Sequence, residues 1–436
     1  MKVMKFGGTC LGTEDALNRV AYVIGSEKDQ KIVVVSAASG VTNALKEFIS
    51  RPRQEREIDD FLLALRMRHM DMLPRTDGEA RREALSRIEA KITKLERLLY
   101  GVTYTEELTP RTKDLVLSFG ERLSAIIVAA RLADNGIDAV PMEGDALGFI
   151  TNEQHGNAVA LLDQCEKNMG ATLEAAAKKG MVPVVTGFFG VTQDGHVTTV
   201  GRSGTDYTAA VIAYATNARP IEIWKEVDGF MSADPKLVKD AFMIDRLSYE
   251  EAAELAYFGA QVLHARAVQP ARLKGIEIII KNLYMPESPG TTIGNGKMAR
   301  KDVIKSVSYV PKIATLKVYD TGAGYKSGFL ADITNCLSEE EVNIFSATTS
   351  QTCVAVLIDE TQIPQAKRAI KSVIGGVGES FEINPGVALV CTVGEGLGYT
   401  EGVAARVFKA VAAKKVNVEL ISAGASTVAD HFTVGH

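Results

Sequence analysis

Lys5-Phe6-Gly7-Gly8-Thr9-Cys10 closes the first apolar run of the chain, and its reading decides the fold. Val3 to Phe6 has the composition of a short strand, and two glycines follow. Thr13-Glu14-Asp15 then opens a helix whose Leu17, Val20, Ala21 and Ile24 recur at i, i+3, i+4 and i+7. A strand that ends in Gly-Gly ahead of a helix lets backbone N–H groups approach an anion closely, because no Cβ intervenes. Lys5 adds a full positive charge at the same point. The layout is that of a phosphate cradle. It differs from the P-loop, whose lysine follows the glycines in G-x-x-x-x-G-K-[ST], a string absent from this sequence. Taken alone, the stretch reads equally as a tight strand–helix turn.

Outward from this point, residues 1–300 alternate short apolar runs with helical periods, the pattern of a sheet flanked by helices. Ile32–Val35, Met181–Thr186, Ile221–Trp224 and Ile276–Ile280 are the further strand candidates, and Asp194-Gly195 reads as a hairpin turn. The stretch 55–100 is highly charged, and Leu85, Ile88, Ile92, Leu95 and Leu99 step by three and four. It predicts a helical hairpin laid on the sheet. After Asn295-Gly296-Lys297 the pattern changes to an internal repeat: residues 314–344 align without gaps on 388–418. Gly328 matches Gly402, Ala331 matches Ala405, and Val342-Asn343 matches Val416-Asn417. Each copy reads strand, glycine-containing loop, helix, strand, which predicts a pair of small sheet-and-helix modules. The first copy's loop, 320–328, reads either as a holder for a small polar ligand at a helix start or as a surface loop.

Composition bounds the partners. A chain of 436 residues predicts two or three domains, and 46% hydrophobic residues suffice for sizeable cores. A formal net charge of −5 argues against nucleic acid. No apolar stretch approaches the roughly 20 residues of a membrane span, and the N-terminus does not read as a signal segment. Five scattered cysteines without C-x-x-C fit a reducing compartment, and the six histidines fall in no metal-ligand spacing. The expectation is a soluble, cytoplasmic α/β protein without a resident metal.

Several segments carry chemistry beside the cradle. Ser118-Phe119-Gly120-Glu121-Arg122 puts an acid at the start of a helix, where it can accept from first-turn amides or from a ligand ammonium. Gly201-Arg202-Ser203-Gly204-Thr205-Asp206 opens an apolar-faced helix, an anion site with a bidentate fork in Arg202. Asp206 can hold magnesium or accept from an amine. Trp224-Lys225-Glu226-Val227-Asp228-Gly229 ends a strand on the edge where open α/β sheets bind nucleotides. Ser248-Tyr249-Glu250-Glu251 is a capping box, and His264 reads as a core residue.

In order and spacing, these blocks resemble the aspartate kinases of the amino-acid kinase family, over nearly the whole chain. They are K-F-G-G-T, Ser36 through Asn43, F-G-E-R, G-R-x-G-[ST]-D, W-K-x-V-D-G and F-G-A-x-V-L-H. The resemblance implies an α/β kinase sandwich over 1–300, with 55–100 as a helical insertion, followed by tandem ferredoxin-like ACT modules over 301–436. It implies transfer of the ATP γ-phosphoryl group to the side-chain carboxylate of L-aspartate, with Mg2+, and amino-acid control through the ACT modules. By this likeness Lys5, with the Gly7 and Gly8 amides, stabilises the transferring phosphoryl group, and Asp206 organises the lysine and the metal region. Arg202 clamps the aspartate α-carboxylate, Glu121 takes its ammonium, and Ser36, Thr42, Phe188 and Thr205 line the same pocket. Lys225, Glu226, Met231, Lys236 and Gln261 fall where the family touches ATP. Ser327, Gly328, Phe329, Leu330, Asn343 and Ile344 fall at the effector site.

The chain also departs from the family. Cys10 stands where serine is usual. Many relatives carry Thr-Asp at Lys225-Glu226, tyrosine at Met231, arginine at Lys236 and lysine at Gln261, whereas plant-type relatives share Lys225 and Gln261. Phe345 lies where lysine-sensing members carry an aspartate. The second module stops at His436, without the final helix and strand such modules usually have. The expectation is a truncated end or completion by a neighbouring subunit, and paired ACT modules imply a homodimer or higher homo-oligomer.

Overall fold

The computed structural model describes residues 1–435 except 261, 296–302, 323, 326 and 375–379. Gln261, Gly296, Lys297 and two residues of the 320–328 loop therefore lie outside the described residues. The chain forms two compact units. The first comprises Met1–Phe230, Met243–Ala253 and Gln261–Met298; the second comprises Met231–Phe242, Glu254–Ala260 and Ala299–His436. The second unit is thus not a simple C-terminal block. Segment 231–242 joins it through hydrogen bonds from Ser306 Oγ to the Met231 carbonyl and from Val307 N–H to the Ser232 carbonyl.

In the first unit the chain runs β1 (Lys2–Phe6), α1 (Glu14–Ser26), β2 (Lys31–Val35), α2 (Val41–Phe48), α3 (Glu55–Asp71), α4 (Glu79–Thr105), α5 (Pro110–Leu117) and α6 (Phe119–Asp134). It continues with β3 (Ala139–Met142), α7 (Gly144–Leu147), α8 (Leu162–Lys178), β4 (Val182–Thr186), β5 (Phe189–Val191), β6 (Val197–Thr199), α9 (Gly204–Thr216) and β7 (Ile221–Lys225). Then come β8 (Arg246–Leu247), α10 (Tyr249–Tyr257), whose end belongs to the second unit, α11 (Ala265–Leu273), β9 (Ile278–Asn282) and β10 (Thr291–Ile293). One sheet has the order β3-β4-β2-β1-β7-β9-β10-β8, parallel from β3 through β9.

Side-chain alternation along a strand sorts this sheet into two faces. Met4, Phe6, Val33, Val35 and Trp224 enter a core with α1, α4 and α6. Lys5 and its register partner Ile223 turn to the other face, and Lys225, two residues beyond Ile223, turns the same way. The hairpin α3–α4 forms as expected, with Ile88, Ile92, Leu95 and Leu99 buried, but α4 packs against α6 rather than on the sheet. Helix α6 is buried on nearly every side, Phe119 through Leu132 all being buried with Glu121, Arg122, Ser124 and Arg131 among them, so it needs a cover of its own.

The second unit holds β11 (Ser306–Tyr319), α12 (Phe329–Glu339), β12 (Ile344–Thr349), β13 (Cys353–Asp359), α13 (Ile363–Val373), β14 (Ser380–Val393), α14 (Val403–Ala413), β15 (Val418–Ser422) and β16 (Ala429–Gly435). Its antiparallel sheet runs β12-β13-β11-β14-β16-β15. The repeat read from sequence appears as strand–helix–strand in each half. The long strands β11 and β14 are shared. Residues 313–319 of β11 pair with β13 in the first module, while 306–310 pair with 389–393 of β14. The strand position beside β14 in the second module is therefore filled by an upstream segment of the same chain.

Candidate active site

At the carboxyl ends of β1 and β7, Lys5 and Lys225 converge on Asp206 in the first turn of α9. Lys5 Nζ lies 2.5 Å from Asp206 Oδ1 and Lys225 Nζ lies 3.5 Å from Oδ2. Asp206 is 1% exposed and Lys5 4%. Burial alone would raise the Asp206 carboxyl, but the two ammonium groups outweigh it and hold the group below the ordinary carboxylate value. Lys225 is shifted downward, first by burial and then by the charge of Lys5, against the pull of Asp206. Two cations thus share one buried carboxylate at the end of the strands, beside the N-terminus of α9.

The glycines shape this point by close approach. A Cβ on Gly8 would come within 2.7 Å of the Ala37 carbonyl. Gly7 donates its N–H to the Trp224 carbonyl at 3.2 Å, so that amide is already used. This corrects the expectation that both glycine amides face an anion. Cys10 turns inward, 1% exposed, with its thiol donating to the same carbonyl at 3.4 Å.

Lys5, Gly7, Gly8, Ser36, Thr42, Glu121, Phe188, Arg202, Thr205, Asp206, Lys225 and Glu226 all line one cleft of about 760 Å3. Ser36 Oγ donates to Thr205 Oγ1 at 2.9 Å. Phe188 adopts φ 71°, a strained value for a bulky residue; its N–H donates to Thr208 Oγ1 and its carbonyl accepts from Val200 N–H. Glu121 is 3% exposed at the start of α6. Its Oε1 accepts from Ala37 N–H at 3.0 Å, and Oε2 has no hydrogen-bond partner among the described residues. Burial pushes this carboxyl up to about 8 against the opposing Ala37 N–H. Arg202 is exposed, on a turn in which Gly201 (φ 82°) and Ser203 (φ 50°) take left-handed backbone. Glu226 accepts from Thr9 Oγ1 at 2.6 Å.

A protein-family model described as the amino acid kinase family matches residues 1–282, and an ACT domain model matches 390–434. Aspartokinase 1, chloroplastic, of Arabidopsis thaliana is 32% identical over 99% of this chain and 77% of its own length. E. coli aspartokinase III solved with aspartate and ADP (R-state) superposes with a TM-score of 0.85, at 27% identity, over 100% of this chain and 96% of that one. The same enzyme with lysine and aspartate (T-state) gives 0.83, also at 27% identity and with the same coverage. The chain belongs to the amino acid kinase family, among its aspartokinases.

Within that family frame, the remaining expected residues divide. Met231 and Lys236 lie in segment 231–242, grouped with the second unit. The effector residues divide between the two ends of the first module: the loop before Gly328 lies by Gln351 at the end of β11, whereas Ile344 pairs with Ile358, level with Ala314 at the other end. Gly328 (φ 92°) caps α12, and Phe329 is buried behind it. Asn343 N–H donates to Gln362 Oε1, and the Ile344 carbonyl accepts from the Tyr257 hydroxyl at 3.2 Å. The Phe345 ring stands 6.0 Å from that of Tyr257. His264, read as a core residue, is half-buried and caps α11, its Nδ1 accepting from Arg266 N–H.

Sequence reading missed Asp114. It is 1% exposed on α5, lines the cleft, and accepts from His155 Nδ1, Gly156 N–H, Thr199 N–H and Thr199 Oγ1. The available signal was a lone acid directly ahead of Leu115-Val116-Leu117, on the turn of a helix that must be buried.

Proposed function

We propose that this protein is an ATP-dependent aspartate kinase, joining the β-carboxylate of L-aspartate to the γ-phosphoryl group of ATP and releasing ADP. The observation that carries the reading is the division of the cleft. Lys5 and Lys225 stand at the strand ends around one buried carboxylate, and an unpartnered Glu121 oxygen and the Arg202 turn line the same space. The first suits phosphates and the second suits the ammonium and α-carboxylate of an amino acid.

The chemistry needs little from the protein beyond alignment and charge. A side-chain carboxylate is ionised at pH 7 and attacks without a general base. A carboxyl O–P bond forms, the bond from the γ-phosphorus to the β,γ-bridging oxygen breaks, and the electron pair leaves on ADP. Lys5 neutralises charge developing on the transferring group. Asp206 holds Lys5 in place. Arg202 and Glu121 fix the amino acid by its two α-substituents, which requires both to be free, with Ser36, Thr42, Phe188 and Thr205 around them. Lys225, Glu226, Met231, Lys236 and Gln261 are assigned to the nucleotide.

Magnesium would arrive on the ATP phosphates and supply further positive charge. Both Asp206 oxygens are engaged by lysines, and no group of three His, Cys, Asp or Glu side chains offers a cage among the described residues. Residues 1–300 are assigned as the catalytic domain and 301–436 as an amino-acid-sensing ACT pair. Phe345 offers no carboxylate to a lysine ammonium, so a lysine effector is disfavoured. A cytoplasmic homodimer or higher homo-oligomer is the working assembly; no described helix is long and apolar enough to cross a membrane.

The test is ADP release by purified protein with MgATP and single amino acids, the acyl phosphate being trapped by hydroxylamine. Aspartate-dependent hydroxamate is the expected result. Turnover with glutamate and not aspartate would reject the reading.

A further inference from the structure

A cleft that takes up a dicarboxylate gains nothing from a bare carboxylate in its wall, yet Asp114 is there and buried. Its charge is consumed within the protein. Oδ2 accepts from His155 Nδ1 at 2.9 Å, Gly156 N–H at 2.9 Å and Thr199 N–H at 3.1 Å, and Oδ1 accepts from Thr199 Oγ1 at 2.7 Å. Four donors surround this carboxylate, three on Oδ2 and one on Oδ1. Glu121, by contrast, has one donor and an oxygen left over. The two buried acids of the cleft therefore do different work, and Asp114 is no receptor for the substrate ammonium.

The donors on Asp114 are positioned around one turn. Thr199 ends β6, three residues ahead of Arg202. Gly156 and Asn157 lie against Gly201, where an added Cβ would stand 3.0 Å from Asn157 Oδ1 and 3.5 Å from the Gly156 carbonyl. Arg266 pins the turn as well, donating to Asn157 Oδ1 at 2.7 Å and to the Val200 carbonyl at 3.1 Å. Arg202 itself is exposed, so its place depends on the backbone that carries it.

We infer that Asp114 is the positioning residue of the substrate clamp: by gathering the 155–156 loop and the end of β6 onto one carboxylate, it presets the turn from which Arg202 grips the α-carboxylate of the amino acid. The inference rests on the assignment of Arg202 made above. It gives Asp114 a role in amino-acid affinity that is separate from nucleotide binding and from phosphoryl transfer.

The decisive experiment is a double-mutant cycle. Asp114→Asn keeps the shape but turns an amide N–H2 toward groups that are themselves donors. It is expected to raise the aspartate KM by about tenfold or more, with kcat within about threefold and the ATP KM unchanged. In an Arg202→Ala background the same change should add no further rise in aspartate KM, because Asp114 acts only through Arg202. Thr199→Val, which removes only the bond to Oδ1, should move the aspartate KM in the same direction by less, and Thr199→Ser should restore it. These two variants carry the test if Asp114→Asn does not fold. Multiplicative effects of Asp114→Asn and Arg202→Ala, or a parallel loss of kcat and ATP affinity, would overturn the inference while leaving the kinase reading standing. A wild type that releases no ADP with aspartate would remove both.

Discussion

Glu121 makes the amino-acid site sensitive to pH in a way that can be worked out from its surroundings. Its carboxyl is pushed from 4.5 up to about 8 by burial, so near pH 7 about nine molecules in ten carry the proton. An ammonium docking on Oε2 needs the ionised form. Below about pH 8 the proton must therefore leave as aspartate binds, at a cost of about 1.4 kcal/mol for each pH unit. The aspartate KM should fall about tenfold per unit from pH 6 to pH 8 and level off above. Glu121→Gln has no proton to lose: its KM should be flat over the same range and lie above that of the wild type at pH 8.5. The assay is coupled ADP release at saturating MgATP, with aspartate varied at each pH. A flat wild-type profile, or a slope that survives in Glu121→Gln, would refute the reasoning. Stability should follow the same group. Its native pKa lies above the unfolded one, so the contribution is complete below about pH 4.5 and lost as pH rises through about 8. The melting temperature of the unliganded protein should accordingly decline over that window by less in Glu121→Gln.

Other outcomes follow from the same cleft. Lys5→Ala should lower kcat by at least about a hundredfold, because it removes charge used mainly in the transition state, and near-normal turnover would exclude that role. Lys225→Thr removes the second cation on Asp206; the ATP KM should rise by about tenfold with the aspartate KM unmoved, and an unchanged ATP KM would detach Lys225 from the nucleotide. Gly120→Ala adds a Cβ 2.6 Å from that of Ala37, whose N–H holds Glu121. Urea unfolding should show a loss of about 1–3 kcal/mol despite the better helix propensity of alanine, and equal or greater stability would contradict the packing.

Much of this was legible where chemistry and local geometry coincide. Gly-Gly after a strand and Gly-x-x-Gly before a helix announce backbone approach to an anion, and the structure brings Lys5 and Asp206 together there. The repeat of 314–344 on 388–418 gave the tandem modules. Partnership across distance was illegible. Nothing near Gly7 says that its N–H will bond the carbonyl of Trp224, because that bond depends on which strands become neighbours. Asp114 escaped notice for the same reason: its four donors come from two segments more than forty residues away by sequence offset. The helical hairpin at 55–100 is legible from its periodicity, but its support, α6, is not, since a helix buried on every side shows no single packing face.

Strand β11 has a consequence for anyone who wishes to re-engineer the response. Its first five residues pair within the second module and the remainder within the first, as one continuous run of backbone. Excising either module at a loop would leave an open ladder of unpaired amides and carbonyls, a surface prone to self-association. Exchange of effector specificity therefore has to proceed by grafting loops and side chains at the start of α12 and β12, or by transplanting both modules together, because the boundary between them runs through the middle of a strand.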